Sequence, residues 1–181
     1  MTKYILGDID GVFNALSPVN PKNLTDWLGT WGLEVVDGGA GKSYSIRWSH
    51  EMVEEMNRII SKPDVQFIVA STWQDQGKNV LFPTIGLHLP EDTIVFKEAT
   101  VAWGYSPMGS NLGSWWKLDE FKEFYAHSDS EDSFIWLDDD IKKVVQAIQF
   151  VNERDNITAI SPFQSLGLTR EDLELLDRLT D

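Results

Sequence analysis

A short apolar run near the start of the chain, Tyr4-Ile5-Leu6, stops abruptly at Gly7-Asp8-Ile9-Asp10-Gly11-Val12-Phe13-Asn14, where two carboxylates stand one residue apart before a glycine. A run of this kind reads as a buried strand that ends in charge at the edge of a sheet. Side chains two apart share a face, so Asp8 and Asp10 point the same way, and in an open parallel sheet the carboxyl ends of the strands border the ligand crevice where the strand order reverses. Gly11 lets the backbone turn sharply there. On these residues alone a plain strand followed by an Asp-Gly turn is the alternative to a functional site, and the rest of the chain must decide.

The following segments alternate between helical and strand periodicity. A helix is expected from Asn20-Pro21 to Trp31, with Leu24, Trp27, Leu28 and Trp31 at helical spacing. Leu33–Val36 and the alternating Tyr44–Trp48, separated by the glycine-rich stretch Asp37–Lys42, read as a β-hairpin. Gly38-Gly39-Ala40-Gly41-Lys42-Ser43 imitates a phosphate-binding P-loop, but that motif needs a glycine where Val36 stands and a helix where strand alternation follows. A hairpin tip is the better reading. Ser49 is a fitting N-cap for a helix to about Ser61 that buries Met52, Val53, Met56, Ile59 and Ile60.

Four further strands are expected: Val65–Ala70, which ends in Ser71-Thr72-Trp73; Thr93–Phe96; Phe134–Leu137, which ends in Asp138-Asp139-Asp140; and Asn156–Ile160. Between them lie a helix from Gln74 to about Phe82, a turn-rich connection from Pro83 to Glu91, a long loop from Lys97 to Ser114, and a helix opened by Trp115-Trp116-Lys117 that runs to about His127. A helix from Ile141 to about Asn152 carries Val144, Val145, Ile148 and Val151, and Thr169 to Asp172 forms a capping-box pattern ahead of a last helix. Strands alternating with helices imply an α/β fold: a Rossmann-like three-layer αβα sandwich with a mostly parallel five-stranded sheet and little or no cap. All 181 residues are expected to form one domain, with the hairpin flap at about 33–48.

Composition excludes several chemistries. With no cysteine, disulfides, thiolate zinc sites and cysteine nucleophiles are ruled out, and metal chemistry falls to carboxylates and three scattered histidines. A net charge of −14 disfavours an extended nucleic-acid surface, while a small phosphorylated ligand held locally fits. No run is long enough for a signal peptide or a membrane span, so a soluble cytoplasmic protein without membrane partners is expected.

Three strands thus end in polar groups that could meet: Asp8 and Asp10, Ser71 and Thr72, and Asp138 and Asp139, with Lys117 from the helix before the fourth strand. Such dense carboxylates repel one another unless a cation sits among them, and hard oxygen ligands suit Mg²⁺ sharing its shell with a substrate phosphate. Each piece has a plainer reading: Asp138–Asp140 as a helix N-cap and acidic first turn, Ser71-Thr72 as another cap, Lys117 as a solvated lysine. Their joint order at strand ends favours a site.

The pattern resembles the haloacid dehalogenase-like (HAD) superfamily of phosphohydrolases, whose four motifs are matched in order by Asp8-Ile9-Asp10-Gly11-Val12, Ser71, Lys117, and Asp138-Asp139 after Phe134–Leu137. The match runs from residue 3 to about residue 161. Within the superfamily, Ser71-Thr72-Trp73, Trp136-Leu137-Asp138-Asp139 and Gly167-Leu168-Thr169-Arg170 are similar to a group of small actinobacterial and phage proteins, one branch of which is fused to RNA-repair modules.

The resemblance implies a Mg²⁺-dependent phosphatase with a nucleotide or other small phosphate ester as substrate. It makes Asp8 the nucleophile that forms an aspartyl-phosphate and Asp10 the general acid and base. Ser71, with Thr72 beside it, and Lys117 would hold the phosphate; Asp8, the backbone carbonyl of Asp10, Asp139 directly and Asp138 through water would hold Mg²⁺. The third acid leaves open a shift to Asp139-Asp140. No gap between motifs would hold a full cap domain, so the hairpin takes the place of the flap. Trp27, Trp31, Trp48 and Trp103 near the rim are candidates for stacking a nucleobase, against the ordinary core role of tryptophan. Two other functions compete: a polynucleotide or RNA-end phosphatase, and a metal- and phosphate-binding module without turnover. The presence of both Asp8 and Asp10 favours an enzyme, since metal binding alone has no use for the second side chain.

Overall fold

The computed structural model describes residues 1–17, 27–98 and 115–181. Five strands form the main sheet: β1 (Lys3–Gly7), β4 (Val65–Val69), β5 (Ile94–Val95), β6 (Ser133–Leu137) and β7 (Ile157–Ile160). Their order is β5-β4-β1-β6-β7, and every neighbouring pair is parallel. From β1 the chain proceeds outward through β4 to β5, then returns to the opposite side of β1 to lay down β6 and β7. The order therefore reverses at β1, whose carboxyl end opens on the switch-point crevice.

Strand alternation sends side chains of the sheet into two separate cores. Ile5 and Phe67 join Met52, Val53 and Met56 of α1 (His50–Ile60) and Leu173 and Leu176 of α6 (Arg170–Leu179) on one face. Leu6, Ile68, Phe134 and Trp136 join Leu118 and Phe121 of α4 (Trp116–Ala126) and Ala147 and Phe150 of α5 (Val145–Asn152) on the other. The result is a Rossmann-like αβα sandwich. β2 (Trp31–Asp37) and β3 (Ser43–Ser49) form a separate antiparallel hairpin between β1 and α1, with Val36, Ile46 and Trp48 turned into the first core.

Helix ends follow their local chemistry. Ser49 caps α1 by accepting the Met52 N–H, and Thr169 with Asp172 closes a reciprocal capping box on α6. At the other end of α6, buried Lys3 donates to the Thr180 carbonyl at 2.9 Å, and Lys62 donates to the Asp177 carbonyl at 3.0 Å. Both ammonium groups sit where the helix presents its negative end.

Several expectations need correcting. Residues 27–30 are not helical and Trp31 begins β2, while the remainder of the expected early helix, 20–26, lies outside the described residues, as does most of the 97–114 loop. The helical run after β4 does not stop at Phe82. It comprises α2 (Gln74–Gln76), a π-helical stretch Gly77–Leu81, and α3 (Phe82–Ile85), with Pro83 in the first turn of α3, where a missing N–H is tolerated. α5 buries Ala147 and Phe150 and leaves Val145 and Ile148 exposed, because a 3₁₀ turn at Ile141–Lys143 precedes it and resets the helical phase. No helix among the described residues is long and apolar enough to cross a membrane.

Candidate active site

The ladder extends one step beyond the strands. Asp8 N donates to the Leu137 carbonyl at 2.9 Å, Asp138 N to the Ile160 carbonyl at 3.2 Å, and Ala70 N to the Gly7 carbonyl at 2.9 Å. Register therefore brings Asp8, Asp138 and the Ser71 loop to one level at the sheet's carboxyl edge. Ligand atoms of Asp8, Asp138 and Asp139 all lie within 4.8 Å of one another.

Lys117, in the first turn of α4, reaches this cluster from the neighbouring layer. Its ammonium donates to Asp8 Oδ2 at 2.5 Å and to Asp138 Oδ2 at 2.7 Å. The remaining oxygens are held by backbone: Ile9 N donates to Asp8 Oδ1 at 2.7 Å and Asp140 N to Asp138 Oδ1 at 2.8 Å. Asp138 is fully buried, whereas Asp139 is half-buried and so the more open of the pair. Lys143 pairs with Asp140 at 2.5 Å and with Asp139 at 3.2 Å, but only Asp139 of these two joins the cluster, and on that ground the geometry favours Asp138-Asp139 over the shifted pair.

Burial pulls the Lys117 ammonium down, but the charges of Asp8 and Asp138 outweigh it, and the net shift is upward. Asp138 is pushed well above the usual carboxylate range, chiefly by burial and further by the charge on Asp8, with Lys117 opposing. Asp139 is raised by partial burial and by Asp140. Lys117 is the buried ammonium among these three carboxylates, and the exposed Lys143 is shared between Asp139 and Asp140, so acids outnumber cations; hard oxygen donors with no thiol match Mg²⁺.

The turn after β1 is tightly specified. The Ile9 carbonyl accepts from Val12, Phe13 and Asn14 N–H groups, and Gly11 adopts φ +75°. A Cβ on Gly11 would lie 2.6 Å from the Asp139 carboxyl, so glycine is needed for both backbone and space. Gly167, at φ +70°, lets the late segment approach, and Leu168 N then donates to the Val12 carbonyl at 2.9 Å.

The Asp10 carboxylate stands outside the three-carboxylate group and has partners of its own. Its Oδ1 accepts from Asn14 Nδ2 at 2.7 Å and its Oδ2 from Trp73 Nε1 at 2.9 Å. Ser71 is fully buried, its Oγ accepting the Trp73 N–H at 3.4 Å, whereas Thr72 is exposed at the rim. Sequence reasoning missed Asn14 and Trp73 as partners of Asp10. The available signals were Asn14 four residues past Asp10 in the same turn and Trp73 two past Ser71. Of the tryptophans expected at the rim, Trp27 and Trp48 are buried in the core, Trp31 is partly buried against it, and Trp103 lies outside the described residues. Among the described residues, Tyr44 of the hairpin is exposed and edge-on to Trp73, with ring centroids 5.1 Å apart.

No curated protein and no solved structure matched the chain. A family model described as the HAD domain in Swiss Army Knife RNA repair proteins matches residues 4–173, a span that includes every strand end of the cluster. An HAD domain points, in general terms, to phosphohydrolase chemistry and to Mg²⁺ as the accompanying ion. On a match over nearly its whole length, and with the acid-bearing strand ends converging at the switch point, the chain belongs to the family of HAD domains found in Swiss Army Knife RNA repair proteins.

Proposed function

We propose that the protein is a Mg²⁺-dependent phosphomonoesterase that works through an aspartyl-phosphate on Asp8, acting on a nucleotide or another small phosphate ester. The observation that carries this reading is the contact of Lys117 with Asp8 at 2.5 Å inside a cluster whose other members are Asp138 and Asp139. A lysine so placed neutralises both the attacking carboxylate and the incoming phosphoryl group.

In the first step an oxygen of Asp8 forms a bond to phosphorus as the ester P–O bond breaks, and Asp10 gives its proton to the departing alkoxide. In the second, Asp10 takes a proton from water as that water attacks the same phosphorus, releasing phosphate and restoring the Asp8 carboxylate. The Ser71 hydroxyl hydrogen-bonds a phosphoryl oxygen, and Thr72 at the rim is the outer contact. Asp8, Asp139 and the Asp10 carbonyl, with Asp138 behind them, would hold Mg²⁺, which when bound would offset charge on the phosphoryl oxygens.

Soaking with Mg²⁺ and beryllium fluoride tests the reading, because the trigonal unit attached to a carboxylate mimics the aspartyl-phosphate. An adduct on Asp8 is expected, together with EDTA-sensitive release of phosphate from an aryl phosphate that Asp8→Asn abolishes. Tight Mg²⁺ binding with no adduct and no turnover across a broad ester panel would instead favour a binding module.

The family description favours one second reading, an RNA-end phosphatase. The net charge of −14 weighs against it. Turnover of an oligonucleotide 3′-phosphate exceeding that of mononucleotides would establish it over the first.

A further inference from the structure

Both oxygens of the Asp10 carboxylate accept from uncharged donors that arrive from different parts of the chain. Asn14, in the turn after β1, holds Oδ1, and Trp73, in the segment after β4, holds Oδ2. A single donor would leave the carboxylate free to swing about its own bond; two donors on separate oxygens fix its plane. Each oxygen keeps a second lone pair for the proton that a general acid must deliver and a general base must collect.

The donors are themselves braced, and both braces end on the same strand. Asn14 is buried, and its Oδ1 accepts the Arg47 N–H of β3 at 2.9 Å, while Ala15 N donates to the Arg47 carbonyl at 2.8 Å. The Trp73 ring packs edge-on against Tyr44, also on β3, and Gln74 after it adopts φ +46°, a conformation that residues with side chains seldom adopt. Gly77 packs beneath, where a Cβ would come within 2.5 Å of Ile9 and 3.2 Å of Trp73.

We infer that Asn14 and Trp73 are positioning residues for Asp10, and that through them the seating of the hairpin governs proton transfer to the leaving group. The inference rests on the phosphatase reading above. Misplacing a catalytic group by about 1 Å can cost on the order of 10²-fold, so this bracing has kinetic weight without any contact between the two residues and substrate.

The test measures kcat/KM for phosphate esters whose leaving groups run from nitrophenol to a simple alkyl alcohol. Departure of nitrophenolate needs little protonation; departure of an alkoxide needs it fully. Trp73→Phe keeps the ring against Tyr44 but removes the donor, and is expected to lower kcat/KM by about 10- to 100-fold on the alkyl ester and by less than about 3-fold on the nitrophenyl ester. Asn14→Asp keeps the acceptor for Arg47 but sets a second carboxyl against Asp10, disturbing both the placement and the charge of the general acid, and should steepen the leaving-group dependence at least as far. Tyr44→Ala should give a weaker form of the pattern, about 3-fold on the alkyl ester, because it loosens Trp73 without removing a donor. Unchanged kcat/KM in both Trp73→Phe and Asn14→Asp, or equal loss on both esters, with an active wild type and an inactive Asp10→Asn, would overturn the positioning role alone. A wild type inactive on every ester would overturn the phosphatase reading and the role with it.

Discussion

Lys117 and Asp8 are 109 positions apart in sequence and 2.5 Å apart in space. The same ammonium is 2.7 Å from Asp138, so one buried cation serves two buried carboxylates. Removing one partner of a buried ion pair typically costs about 3–5 kcal/mol. Lys117→Met should fall near the lower end, about 3 kcal/mol, because Asp8 and Asp138 can then share a proton. Urea unfolding in EDTA checks this, and Mg²⁺ should recover part of the loss. Stability equal to wild type in EDTA would show that the lysine is not the counter-charge the geometry makes it.

Gly11 and Gly41 form a matched pair for a second prediction. Both have left-handed backbones, φ +75° and +74°, but a Cβ at Gly11 meets the Asp139 carboxyl at 2.6 Å whereas one at Gly41 meets nothing within 4 Å. Each alanine variant carries a backbone cost of about 1–2 kcal/mol. Gly11→Ala should in addition weaken Mg²⁺ binding by about 10-fold or more, because Asp139 must move. Titration calorimetry on the two variants separates the effects; equal Mg²⁺ affinity in both would remove Asp139 from the metal site.

Without metal, the raised Asp138 makes stability depend on pH in a definite direction. A carboxyl whose folded pKa lies above its unfolded value near 4 contributes stability fully present below the unfolded value and lost as pH rises through the folded one. The melting temperature in EDTA should therefore fall, relative to that in saturating Mg²⁺, as pH rises from 5 towards 8. A gap that narrows over that range would contradict the sign.

Asp177 behaves oppositely. Hydrogen bonds from Arg58 and Lys62 hold its carboxyl down to about 2, and the ion pairs measure 2.9 and 2.7 Å. Its contribution is present above the unfolded carboxylate range near 4 and is lost as pH falls through 2. These pairs are partly solvated, so Asp177→Asn should cost only about 1 kcal/mol at pH 7. The difference from wild type should vanish on acidification towards pH 2; a constant difference would mean that the carboxylate charge is not what is lost.

The strand ends were legible because burial and charge are incompatible within a strand: Asp8, Ser71 and Asp138 each mark where an apolar run must stop. The joint placement of these ends followed from parallel topology. What was not legible depends on contacts that no local pattern encodes. Trp73 and Asn14 are donors only because the turn after β1 and the segment after β4 meet at Asp10. Of the four apolar residues expected on the helix after β6, Val144 and Val151 pack against the core while Val145 and Ile148 are exposed, because a preceding 3₁₀ turn changes helical phase without changing composition. Residue type alone suggests Trp27 for the rim, yet its indole donates to the Leu168 carbonyl at 2.7 Å inside the core.

The clasp between Lys3 and the Thr180 carbonyl gathers residues 3 and 180 at the amino edge of the sheet, while the carboxylates occupy the opposite edge. The two edges of the sheet are thus held by separate contacts, so a change that loosens the clasp acts on the start of β1 and the end of α6 without touching the reacting groups.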